Sequence, residues 1–115
     1  MGAQADFSYG SSLVRGALTG STTMLCRASG SPRPIIYWSK NNVNITTLAN
    51  PSVSITSNNI SSIAIVSNLT IRSLNISNFG SYVCSSYNRR NQNSPSNRAI
   101  QLQQIGKSAK YPLMI

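Results

Sequence analysis

The chain contains no histidine and a single acidic residue, Asp6, set against ten lysines and arginines. Without histidine, the commonest general base and metal ligand is missing. One carboxylate cannot form the pair that acid–base hydrolysis requires. Serine is abundant but has no base to activate it, and no glycine-rich phosphate loop is present. No apolar run approaches the roughly 20 residues that a membrane-spanning helix needs. The opening MGAQADFSYG has neither the basic nor the apolar region of a secretion signal. Asp6 also stands where a myristoylation signal wants Ser or Thr. Met1-Gly2 reads as an added start, and the chain as a domain cut from a longer secreted or membrane-anchored protein. Any membrane attachment would then run through parts outside this sequence.

A length of 115 residues fits one domain. The net charge of +9 reflects the near absence of acids, with Ser, Thr and Asn filling the positions where a cytosolic protein carries Asp and Glu. Four Asn-x-Ser/Thr sequons, at Asn44, Asn59, Asn68 and Asn75, agree with an extracellular surface, whereas Asn50 is excluded by Pro51.

Proline and glycine punctuate short alternating runs, and no helical period is sustained. STTMLC places Thr22, Met24 and Cys26 on one side. IIYWSK sets Ile36 and Trp38 against Ile35, Tyr37 and Ser39, while SYVCSSY turns Tyr82, Cys84 and Ser86 away from Val83, Ser85 and Tyr87. SIAIVSNLTI and AIQLQQI complete the predicted strands, with SGSPRP, NNVN, TSNN and NRRNQNSPSN as turn-rich pieces and one helical turn near SLNISNFG. Such spacing predicts an all-β sandwich or barrel. Residues 1–9 read as an N-terminal extension, 10–106 as the domain and 107–115 as an extension or linker.

Cys26, Trp38 and Tyr82-Val83-Cys84 together resemble an immunoglobulin-superfamily domain. CRASGSPRPIIYWSK follows the I-set pattern C-x-A-x-G-x-P-x-P-x-I-x-W-x-K, and LTIRSLNISNFGSYVCSSYN resembles L-x-I-x-x-L-x-x-x-D-x-G-x-Y-x-C-x-A-x-N. Asn78 replaces the usual Asp, and Ser86 the common Ala. A variable-type domain is the alternative, suggested by CRASG and the Leu-Thr-Ile run. The resemblance implies a two-sheet antiparallel sandwich with a Cys26–Cys84 bridge between sheets. It also implies Trp38 packed on that bridge, Leu69 in the core, Tyr82 as a tyrosine corner and Gly80 giving a tight approach to it. With both cysteines so committed, no thiolate nucleophile or zinc cluster remains, so the chain is expected to be no enzyme and to need no cofactor.

Such domains serve in receptor tyrosine kinases, receptor phosphatases and adhesion molecules. The expected function is therefore protein recognition, homophilic or heterophilic, through the outer face of the sheet carrying strands C, F and G. Ile35, Tyr37, Val83 and Tyr87 are its candidate anchors. Two other functions stay open: a structural spacer, and a sulfated-glycan site on the hairpin arginines Arg89, Arg90 and Arg98. Nucleic acid is disfavoured because no aromatics alternate with the bases.

Overall fold

The structure, a computed structural model, describes residues 3–10, 12–45, 52–91 and 95–105, with side chains from Ser12 onward. The strands are β1 (Ala3–Gly10), β2 (Leu13–Gly16), β3 (Thr22–Ser31), β4 (Ile35–Lys40), β5 (Val43–Asn44), β6 (Val53–Ser61), β7 (Ala64–Ile71), β8 (Gly80–Tyr87) and β9 (Ser96–Gln104). A single 3-10 turn, Ile76–Asn78, precedes β8. One sheet has the order β1-β3-β7-β6 and the other β2-β9-β8-β4-β5.

Alternation dictates which side chains meet between the sheets. Met24, Cys26 and Ala28 of β3, Leu69 and Ile71 of β7, Ile36 and Trp38 of β4, Tyr82 and Cys84 of β8, and Ile100 and Leu102 of β9 form one buried core. The Cys26–Cys84 disulfide joins β3 to β8 across it, with Cα atoms 6.7 Å apart. Closing a loop with a sequence separation of 58 stabilises the fold by about 4 kcal/mol in the chain-entropy model. Trp38 lies directly opposite Cys84 in the β4–β8 register. Its indole N–H donates to Ser67 Oγ at 2.9 Å, so the one polar atom of the ring is satisfied.

The corner at the start of β8 forms as the resemblance implies, with Tyr82 Oη donating to the Asn78 carbonyl. Gly80 is needed there for a different reason than the one expected. An added Cβ would meet nothing nearer than Lys40 Cε at 3.8 Å, but its φ of +130° is a backbone region that L side chains rarely adopt.

Four further features depart from the sequence reading. β1 pairs with β3 from Ala3↔Ser31 to Gly10↔Cys26, so the first sheet begins inside the segment read as an N-terminal extension. β2 pairs with β9 in parallel, the one parallel pairing among the described strands. Only two residues separate β1 from β2, yet the two strands belong to different sheets. TSNN, read as a turn, lies within β6, whose register with β7 runs from Val53↔Ile71 to Ser61↔Ala64. As an edge strand with most of its side chains in solvent, β6 accepts Asn and Ser that a central strand would not. Finally, the β3–β4 connection is shorter than SGSPRP suggested, because β3 runs on to Ser31. The 107–115 segment lies outside the described residues.

Candidate interaction surface

The outer face of the five-stranded sheet is built from the residues of β4 and β8 that the core rejects. Ile35 lies opposite Tyr87, Tyr37 opposite Ser85 and Ser39 opposite Val83. Ile35 is 55% exposed, while Tyr37, Val83 and Tyr87 are half-buried. The rings of Tyr37 and Tyr87 meet edge to face, with centroids 6.0 Å apart and planes at 67°, an arrangement worth about 0.5–1.5 kcal/mol beyond burial. Ser85 points to the same face yet is buried, and its hydroxyl donates to Asn97 Oδ1 of β9 at 2.6 Å.

Tyr37 divides this face into two depressions. One, of about 530 Å³, is lined by Ile35, Tyr37, Asn44, Tyr87 and Pro95. The other, of about 350 Å³, is lined by Tyr37, Ser39, Asn42, Asn44, Val83, Ser85 and Asn97. Neither lining holds a charged side chain among the described residues. The surface therefore offers aromatic and aliphatic contact with amide and hydroxyl hydrogen bonds, the chemistry of a protein-recognition patch. Asn44, Pro95 and Asn97 belong to it and were not among the expected anchors, although Asn44 was a candidate glycosylation site. Asn44 was within reach of sequence reasoning. Asn41 and Asn42, with φ of 54° and 65°, form the two-residue turn that pairs Lys40 with Val43 and Ser39 with Asn44.

The loops beside the face are tied down. Asn88 Nδ2 donates to the Pro32 carbonyl at 2.8 Å, bridging the β8–β9 hairpin to the β3–β4 loop, whose Ser31–Pro32 peptide is cis. Asn88 Oδ1 accepts from Arg90 N, and Asn91 Oδ1 accepts from Asn88 N. Arg89 and Arg90 are exposed at this turn. Arg98 does not share this turn: it lies opposite Cys84 on β9 and is half-buried at the inward parity of that strand.

Lys40 at the end of β4 is a clamp. Its Nζ donates to the carbonyls of Ser77 and Phe79 and sits 5.1 Å from the centroid of the Tyr82 ring. It thereby joins β4 to the corner where the family's Asp is replaced by Asn78. Tyr82 has its phenol pKa raised by burial.

Three of the four sequon asparagines lie away from the face. Asn59 is exposed on β6, and Asn68 is central in the opposite sheet, between Leu25 of β3 and Thr56 of β6. Asn75 caps the 3-10 turn, accepting from Ser77 N at 3.0 Å. Asn44 is exposed on β5, beside Tyr37.

The family model for the immunoglobulin domain matches residues 10–88. Among solved structures, the chain is similar to one in the complex of Dpr2 Ig1-Ig2 with DIP-Theta Ig1-Ig3. The two share 28% identity at a TM-score of 0.78, over 89% of this chain and 32% of that one. It is also similar to a chain of the titin M10–obscurin-like 1 complex, with 17% identity and a TM-score of 0.73 over 90% and 95%. The third is Drosophila OTK extracellular domains 3–5, with 21% identity and a TM-score of 0.70 over 89% and 31%. The latter two likenesses establish the fold alone. This chain spans about a third of the length of the Dpr2–DIP-Theta chain that it matches. No curated protein matches it in sequence.

Proposed function

The chain belongs to the immunoglobulin-domain family, and on that premise we propose that it is an extracellular recognition module of a cell-surface receptor or adhesion protein. Its docking surface is the outer face of the five-stranded sheet, with Ile35, Tyr37, Val83 and Tyr87 as anchors. Its partner is another immunoglobulin-domain protein, a second copy of this chain included. The observation that carries the reading is the contrast between the two sheets. One presents an uncharged, concave, tyrosine-centred surface with one sequon asparagine, Asn44, on its edge strand β5, and the other presents sequon asparagines on β6 and β7. The inter-sheet disulfide suits an oxidising compartment. The 28%-identical neighbour is found in a complex between Dpr2 and DIP-Theta immunoglobulin domains, which supports a partner of the same fold.

The test is a binding array of extracellular immunoglobulin-domain proteins, this chain among them, probed with the multimerised wild type and with Tyr37→Ser/Tyr87→Ser. The proposal expects at least one partner that the double variant loses while keeping its fold by circular dichroism. A wild type that binds nothing with or without its glycans supports the spacer reading instead, and undiminished binding by the double variant refutes the face. The exposed pair Arg89 and Arg90 supports a second reading, in which a sulfated glycan docks at the hairpin turn. Retention on heparin at physiological salt, abolished in Arg89→Ser/Arg90→Ser, is its signature. Equal elution of the two proteins rules it out.

A further inference from the structure

We propose that Asn44 is an N-glycosylation site whose oligosaccharide caps the tyrosine-centred face, so that occupancy of this one sequon closes the surface. The first part of this inference stands on the chain itself, and the regulatory part rests on the docking role proposed above.

The geometry leaves the Asn44 amide one direction. The Asn41-Asn42 turn, with positive φ at both residues, fixes the β4–β5 register at Lys40↔Val43 and Ser39↔Asn44. Ser39 points to the outer face, as Tyr37 does, so its cross-strand partner Asn44 does too. The next residue, Ile45, packs against the core, and its N–H donates to the Trp38 carbonyl at 2.9 Å. Ile45 anchored inward prevents Asn44 from rotating away from the face. The Asn44 side chain lines both depressions on either side of Tyr37. Asn44 is exposed, and no strand lies beyond β5 in its sheet among the described residues. Thr46, which completes the sequon, lies outside the described residues.

Reach follows from strand spacing. Asn44 is one strand across from β4 and, through Ser39, two residues along from Tyr37, which places the two Cα atoms about 8 Å apart. A branched oligosaccharide rooted there overhangs both depressions. The other sequons differ in kind. Asn59 and Asn68 lie on the opposite sheet, and Asn75 has its Oδ1 engaged by Ser77 at the 3-10 turn. Glycans on β6 and β7 would leave the tyrosine face open, and only the one on Asn44 would cover it.

The experiment uses the whole chain secreted by a eukaryotic cell. Peptide mass spectrometry measures occupancy at Asn44. Hydroxyl-radical footprinting then reads the labelling of Tyr37 and Tyr87 in the secreted protein, in the same protein after enzymatic glycan removal, and in Asn44→Gln. The expected result is an occupied Asn44, with labelling of both tyrosines that rises several-fold on glycan removal and in Asn44→Gln. An unoccupied Asn44 overturns the proposal, as does occupancy with tyrosine labelling unchanged by glycan removal. A protected face combined with partner binding that ignores Tyr37→Ser/Tyr87→Ser would refute the docking role and leave the capping intact.

Discussion

Two buried serines should respond to the same substitution with opposite sign. Ser67 and Ser86 are both fully buried, and changing either to alanine removes one oxygen from the core. An oxygen-sized void of roughly 15 Å³ costs about 0.4 kcal/mol at ~24 cal/mol per Å³, and this cost is common to both variants. Their hydroxyls differ. Ser67 Oγ accepts from the Trp38 indole at 2.9 Å and from Ser57 Oγ at 3.1 Å. Ser67→Ala orphans the buried indole N–H, which should cost about 1–3 kcal/mol. Ser86 Oγ has no hydrogen-bond partner among the described residues, so Ser86→Ala relieves an unsatisfied group and should stabilise by about 1 kcal/mol. The gap of about 3 kcal/mol corresponds to a difference on the order of 15 °C in Tm for a domain of this size. Urea unfolding with the disulfide intact, followed by tryptophan fluorescence, reads it as midpoints moving in opposite directions at constant m. Equal destabilisation by both variants would refute the reasoning, because packing alone would then govern the two sites.

Tyr82 should impose an alkaline limb on stability. Its raised pKa means that the folded state keeps the phenol proton where the unfolded chain has lost it, so its contribution is complete below pH 10.0 and falls as pH rises through the folded value. Tyr82→Phe should lose about 1 kcal/mol at neutral pH with the corner hydrogen bond and flatten that limb. Parallel urea midpoints for the two proteins into the alkaline range would contradict it. Lys40→Met should cost about 1–2 kcal/mol through two carbonyl hydrogen bonds and a cation–π contact at a half-exposed site, and an unchanged Tm would reduce Lys40 to a solvated surface charge.

The core was legible because its determinants are local or strongly patterned. Alternation in IIYWSK and SYVCSSY assigned Ile36, Trp38, Tyr82 and Cys84 inward and Ile35, Tyr37, Val83 and Tyr87 outward, and the structure places them so. Where the reading failed, long-range pairing decided. The Asn/Ser composition of β6 favours turns, yet its register with the β-branched β7 makes it a strand. β1 carries no clear alternation and becomes a strand by joining the edge beside β3. The Lys40 clamp spans 37 to 39 residues of sequence, and the Asn88–Pro32 bridge spans 56, so neither leaves a local signal. Arg98 was grouped with Arg89 and Arg90 by proximity in the chain, but strand parity turns it toward the core side. Asn44 was legible as a sequon, and the register set by the Asn41-Asn42 turn brings it onto the face.

The account turns on which face of the sandwich meets the partner, and one comparison tests that most directly. Binding of an array-identified partner, or of the chain to itself, is measured for Tyr37→Arg and for Thr56→Arg. The first places a charge in the tyrosine face, and the second places one at an exposed position of β6 opposite Asn68. The account predicts that Tyr37→Arg abolishes binding and that Thr56→Arg binds as the wild type does. Loss with Thr56→Arg and full binding by Tyr37→Arg would contradict it and move the interface to the other sheet.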